Sequence, residues 1–314
     1  MSKDYITRIV DNDQLIVSRV ISSIENDTEI NPELFKEIHP YTTKALRIGI
    51  TGPPGAGKST LIDGLIQNYL KDEKSVGVVA VDPTSPFTGG ALLGDRVRMN
   101  QFSQNDNVFI RSMGSRGDLG GLAKKAEDVG DILAASGKDI IIFETVGVGQ
   151  GENDIIRAVD VTVVVLVPES GDEVQLMKAG LIEIADIFVI NKSDRQGADQ
   201  LKQLLESVLR YKPDPDNSAA TIVSTIATRG EGVKELYDQL SLVISNLEVS
   251  GLLREKKMQR FKKRVLFIIQ DRLLNEFWTS KRLDHLEKEV DNLTSRDLSA
   301  YEVAHYLLKE LYHG

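Results

Sequence analysis

Nine consecutive residues, Gly52, Pro53, Pro54, Gly55, Ala56, Gly57, Lys58, Ser59 and Thr60, spell G-x-x-x-x-G-K-[ST]. The chemistry of that pattern is the binding of a nucleoside triphosphate such as GTP or ATP. Glycines let successive backbone N–H groups converge on phosphate oxygens, and a helix beginning directly after them adds partial positive charge. In such a cradle Lys58 reaches the β- and γ-phosphates, and the Ser59 hydroxyl binds Mg²⁺. The cradle needs a strand before it and a helix after it. Leu46 to Ile50 reads as a short buried strand, and Leu61, Ile62, Leu65, Ile66 and Tyr69 fall on one helical face.

A second constellation is Asn191-Lys192-Ser193-Asp194, which follows the apolar run Ile187–Ile190. A carboxylate such as Asp194 can accept from both N1–H and the 2-amino group of guanine, whereas adenine lacks that amino group. A site built around such an acceptor rejects the base that cannot pair with it, so GTP is expected over ATP. Ile226, Ala227 and Thr228, followed by Gly230-Glu231-Gly232, stand where a backbone contact to the base is expected.

A third is Phe143-Glu144-Thr145-Val146-Gly147, at the end of another apolar run. Glu144 can hold the water shell of Mg²⁺, and Gly147 can offer its N–H to the γ-phosphate. Asp82, closing the run Val76–Val81, and Asp95 supply further carboxylates. Helix or turn capping is the competing role for each, credible for Asp95 alone and weak for Glu144. Val148, not glutamine, follows Gly147, and Gln150 lies three residues beyond it. The water-orienting group of a Ras-like enzyme is therefore missing from its usual place. Slow intrinsic hydrolysis that a partner accelerates is the expectation.

These groups must be positioned by a scaffold. Short β-branched runs at Ile48–Ile50, Val76–Val81, Val108–Ile110, Ile140–Phe143, Val161–Val167, Ile187–Ile190 and Ile222–Val223 alternate with helical patterns. Continuous rather than alternating apolar strands predict a sheet covered on both faces: an α/β fold with a parallel, doubly wound core. Ligands of such folds gather at the carboxyl ends of the strands. Residues 1–45 predict amphipathic helices (Leu15, Ile16, Arg19, Val20, Ile24), with His39-Pro40 as a break before the first strand. The GTPase core is expected over 46–249. Over 250–314, Met258, Phe261, Val265, Ile268 and Ile269, then Leu283, Leu286, Val290 and Leu293, follow helical spacing and need a partner surface.

A formal net charge of -9 argues against nucleic acid as the partner. The absence of cysteine excludes disulfides and thiolate metal sites. The longest apolar run, Val161–Val167, is far too short to span a bilayer. The opening Met1-Ser2-Lys3-Asp4-Tyr5 shows no apolar signal core, so a cytoplasmic protein without membrane attachment is expected.

Longer motifs carry a family resemblance. Val81-Asp82-Pro83-Thr84-Ser85-Pro86, Thr88 to Met99, Arg111-Ser112-Met113, Leu119 to Ala123, Glu144 to Gln150 and Gly171-Asp172-Glu173-Val174-Gln175 resemble the MeaB/ArgK family of GTPases. The resemblance runs from about residue 15 onward. It implies a chaperone of cobalamin-dependent acyl-CoA mutases of the methylmalonyl-CoA mutase type, gating or protecting cofactor loading. It further implies that Ser59, Asp82, Asp95 and Glu144 surround Mg²⁺ and its waters. Gly171 to Lys178, with Asp172 and Lys178 as charged members, becomes a switch that meets the mutase, and C-terminal helices form a homodimer. Two other readings remain. A metal-delivery GTPase usually carries a His- or Cys-rich element, which His39, His285, His305 and His313 do not form. A P-loop kinase would have no use for Asn191 and Asp194.

Overall fold

The computed structural model describes residues 3–26, 32–82, 101–102, 105–114, 119–145, 158–168, 181–210, 220–291 and 299–312. In chain order the elements are α1 (Lys3–Val10), α2 (Gln14–Glu25), α3 (Glu33–Thr42), β1 (Leu46–Thr51), α4 (Lys58–Lys71), β2 (Val76–Asp82) and β3 (Val108–Gly114). There follow α5 (Leu119–Ala135), β4 (Ile140–Thr145), β5 (Val161–Leu166), α6 (Leu181–Ile184), β6 (Ile187–Asn191), α7 (Ala198–Arg210) and β7 (Thr221–Thr225). A 3-10 turn (Ala227–Arg229), α8 (Val233–Val249), α9 (Leu252–Phe277), α10 (Ser280–Asp291) and α11 (Ala300–Tyr312) complete the described chain.

The seven strands form one sheet in the order β3-β2-β4-β1-β5-β6-β7, and every pairing is parallel. Each strand thus ends at the same edge of the sheet, and that edge receives the motif residues. Strands β1, β4, β5 and β6 are buried along their whole length, as continuous apolar runs require when helices cover both faces. The edge strands β3 and β7 are only partly buried.

Successive side chains leave opposite faces of a strand, which divides the core. Ile48, Ile50, Ile142, Val163 and Val165 pack with Leu61 and Leu65 of α4 and Leu236 and Leu240 of α8. Ile141 and Phe143 face the other way, onto Ile132 and Leu133 of α5 and Ile16 and Val20 of α2. Val164 and Phe188 pack with Leu205 of α7.

The N-terminal helices lock into this second layer. Asp13 caps α2 by accepting from the amides of Leu15 and Ile16, and its other oxygen accepts from Arg8. Glu25, at the end of α2, pairs with Arg111 of β3. The expected break at His39-Pro40 is corrected: α3 runs through Pro40 to Thr42. So close to a helix end, proline forfeits little more than one backbone bond, and the helix stops two residues later.

The chain divides into two compact units, Met1–Arg254 and Glu255–Gly314. Within the second, Leu266, Ile269, Leu273 and Leu274 of α9 are exposed. A cavity of about 380 Å³ there is lined by Phe277, Trp278, Leu286, Val290 and Leu307, among others. Among the described residues, no helix is long and apolar enough to cross a membrane.

Candidate functional site

Thr51 closes β1, and the chain turns through Gly52–Gly57 into α4. Two glycines are required by contact as well as conformation. Gly52 has φ +142°, and a Cβ there would lie 2.0 Å from the Val165 carbonyl oxygen. Gly57, at the N-cap of α4, has φ +88°, and its Cβ would lie 2.3 Å from the Asn191 amide nitrogen. Pro53 and Pro54 have no N–H, so the loop's donors come from its later residues. The Leu61 amide donates to Gly57 at 3.1 Å. The amides of Lys58, Ser59 and Thr60 belong to the first turn, where a helix leaves N–H groups directed outward.

The Lys58 side chain is buried and folds back across the loop, donating to the Gly52 oxygen at 2.8 Å and the Pro53 oxygen at 3.0 Å. An ammonium is thereby fixed against the loop, which suits an anion with several negative oxygens. The Ser59 hydroxyl donates to Glu144 Oε1 at 2.7 Å. The register explains that meeting: Glu144 lies beside Ile50 on β1 and Ala80 on β2, and its side chain leaves the face that α4 covers. Asp82 ends β2 one strand away, at the same edge. A hydroxyl and a carboxylate at hydrogen-bond distance are hard oxygen donors, the set that Mg²⁺ takes. One residue further along, the buried Thr145 hydroxyl donates to Thr51 Oγ1 at 2.8 Å and joins the ends of β4 and β1.

The loops after β1, β6 and β7 meet at one buried amide. Asn191 donates through Nδ2 to the Ala56 oxygen at 2.7 Å. Its Oδ1 accepts from the Thr225 hydroxyl at 3.0 Å and the Ala227 amide at 3.1 Å. Three loops, after β1, β6 and β7, are thus held by a single side chain. Lys192 follows in the left-handed region at φ +56°, and Ser193 donates its amide to the Thr225 oxygen at 3.1 Å. The Ile226 amide donates to Glu231 at 3.0 Å, closing the loop that contains Ala227 and Thr228. Asp194 meets Arg229, a residue that no motif in the sequence singles out.

The structure therefore brings the residues of Gly52–Thr60 together with Glu144, Asn191, Lys192, Asp194 and Ile226–Thr228. Asp95, Gly147, Gln150, Asp172 and Lys178 lie outside the described residues, as does the side chain of Asp82. Among the described residues, no group of three or more His, Cys, Asp or Glu could hold a metal ion unaided.

The sequence matches the family described as Methylmalonyl Co-A mutase-associated GTPase MeaB over residues 17–282. A Pyrococcus abyssi protein with a provisional GTPase name is 44% identical over 317 residues, spanning 100% of this chain and 98% of that protein. The Escherichia coli protein named GTPase ArgK is 33% identical over 267 residues, 83% of this chain and 80% of that protein. A mouse protein named Methylmalonic aciduria type A homolog, mitochondrial, is 34% identical over 308 residues, 94% of this chain and 71% of that protein. A crystal structure described as LAO/AO transport system kinase shares the P-loop NTPase fold, with a TM-score of 0.74 at 23% identity over 99% of both chains.

Proposed function

The chain belongs to the Methylmalonyl Co-A mutase-associated GTPase MeaB family and is a GTPase, and from that premise we propose that its GTP hydrolysis times its assistance to a cobalamin-dependent acyl-CoA mutase. The assistance is the loading and protection of the mutase's cofactor. The partner assignment is supported by the family's description and by the name of the mouse relative.

The observation that carries the site is the Asn191 strut, which joins a phosphate cradle to a base-reading loop. Phosphates lie against the amides that follow Gly55, with Lys58 at the β/γ bridge. Guanine lies at Asp194, with the loop Ile226–Thr228 beside its carbonyl edge. Ser59 would hold Mg²⁺ directly, while Glu144, Asp82 and Asp95 would hold its waters. Bound there, the cation neutralises charge on the β- and γ-phosphate oxygens. Gly147 belongs to the γ-phosphate contact, and Gln150 is the nearest candidate to orient water. With no glutamine directly after Gly147, hydrolysis is slow until the mutase completes the site through the segment carrying Asp172 and Lys178.

Self-association through the second unit belongs to the same proposal. Apolar side chains on several sides of α9 are exposed, more than a solvated helix carries without cause. A cytoplasmic location belongs to the same proposal.

The direct test is nucleotide-dependent assembly. The purified chain, loaded with a non-hydrolysable GTP analogue or with GDP, is run with a methylmalonyl-CoA mutase on a sizing column. Co-elution that differs between the two nucleotides supports the proposal. No co-elution with either, or the same with both, overturns it.

A further inference from the structure

Arg229 closes the 3-10 turn after β7, directly before the left-handed Gly230 at φ +73°. Its Nη2 lies 3.5 Å from Asp194 Oδ2, and its Nη1 lies 3.9 Å from Glu231 Oε1. Asp194 sits in the loop after β6 and Arg229 in the loop after β7, so the guanidinium crosses between loops at the rim of the base site. The backbone below is already tied, by Ser193 to Thr225 and by Ile226 to Glu231. What those bonds leave loose is the Asp194 carboxylate itself, whose side chain is 38% exposed. Ile226 offers no side-chain donor to steady it. Among the described residues, Arg229 supplies the one ion-pair partner within reach of that carboxylate.

We propose that Arg229 is a positioning residue for base discrimination: it restrains the Asp194 carboxylate so that it meets the two donors of a guanine edge together. The proposal rests on the assignment of Asp194 as the base-reading group. Two carboxylate oxygens carry about four lone-pair sites, so a guanidinium on one side leaves room for N1–H and the 2-amino group on the other. A carboxylate free to rotate would satisfy one donor at a time. Its preference for a base with two donors over a base with one would shrink accordingly. The lever is small, since the Arg229 side chain is 60% exposed and exposed ion pairs are weak.

The test compares GDP with IDP, whose hypoxanthine lacks the 2-amino group, by competition against a fluorescent guanine nucleotide on the full chain. The wild-type ratio of affinities is expected to fall roughly threefold in Arg229→Ala, the scale that an exposed ion pair supports. Arg229→Lys should recover part of it. Salt should lower the wild-type ratio toward that of the variant, because surface pairs are screened. Asp194→Asn serves as the reference, with affinity expected to move from GDP toward XDP. If Asp194→Asn shifts the preference while Arg229→Ala keeps the wild-type ratio, Arg229 has no such role. If Asp194→Asn leaves the preference unmoved, the base-reading assignment itself fails, and this proposal with it.

Discussion

The Asn191 side-chain amide donates to the Ala56 carbonyl across 135 residues of chain, and its oxygen accepts from Thr225 and Ala227. The loop proposed to cradle phosphates and the loop proposed to read the base therefore share a brace. Asn191→Ala should leave a buried carbonyl unpaired and lower stability by roughly 1–3 kcal/mol. Affinity for GTP and GDP should both fall by about tenfold or more, the equivalent of ~1.4 kcal/mol. Denaturant melts and nucleotide titrations of one preparation check both halves. A variant that loses stability but keeps nucleotide affinity would make the brace purely structural.

In the proposed site Lys58 and Ser59 divide the phosphate work. Lys58→Ala removes an ammonium held 2.8 and 3.0 Å from two loop carbonyls, and turnover should fall on the order of a hundredfold. Ser59→Ala removes the hydroxyl that meets Glu144 and should raise the Mg²⁺ concentration needed for half-maximal turnover. Circular dichroism should stay close to wild type in both. Wild-type turnover in either variant would contradict the site.

Lys138 predicts a pH dependence far from the nucleotide. It is buried just before β4 and donates to Asn12 Oδ1 at 3.1 Å and to the Asp106 backbone oxygen at 2.8 Å. Burial pulls its ammonium down to about 8, against a weaker upward pull from Asp106 and Asp139. Between pH 8 and 10.5 the unfolded chain then holds a proton that the folded chain has lost. The destabilising contribution of Lys138 is complete below pH 8 and is relieved as pH rises through that window. Wild-type stability should therefore gain on Lys138→Met from pH 8 toward 10.5. A stability difference between the two that stays flat over this range would rule the effect out.

The exposed side chains of α9 bear on oligomeric state. Leu273→Lys with Leu274→Lys places two charges on a surface now apolar. Light scattering should report a dimer for the full chain and a mass near half of that for the double variant. A monomeric wild type at high concentration would contradict self-association.

All seven strands could be located from residue types, because runs such as Ile140–Phe143 and Val161–Val167 are buried on both faces and show it as unbroken apolar sequence. The weakest of them, Ile222–Val223, belongs to the partly buried edge strand β7, where fewer positions must be apolar. Motif spacing singled out Ser59, Glu144 and Asn191 as candidates but not that Ser59 meets Glu144, or that Asn191 meets Ala56. Those contacts depend on strand register, which places Glu144 beside Ile50. Arg229 was illegible because its partner Asp194 belongs to a different loop and is reached only through the fold. Pro40 misled because a proline marks a helix end statistically, while one placed two residues before that end costs little.

The measurement nearest to the central claim is turnover of GTP and of ATP by the purified full chain, with and without a methylmalonyl-CoA mutase. Slow hydrolysis of GTP, little of ATP, and acceleration of the GTP rate by the mutase that Lys178→Ala largely abolishes is the predicted result. A GTP rate indifferent to the mutase, or ATP hydrolysed as readily as GTP, would contradict it.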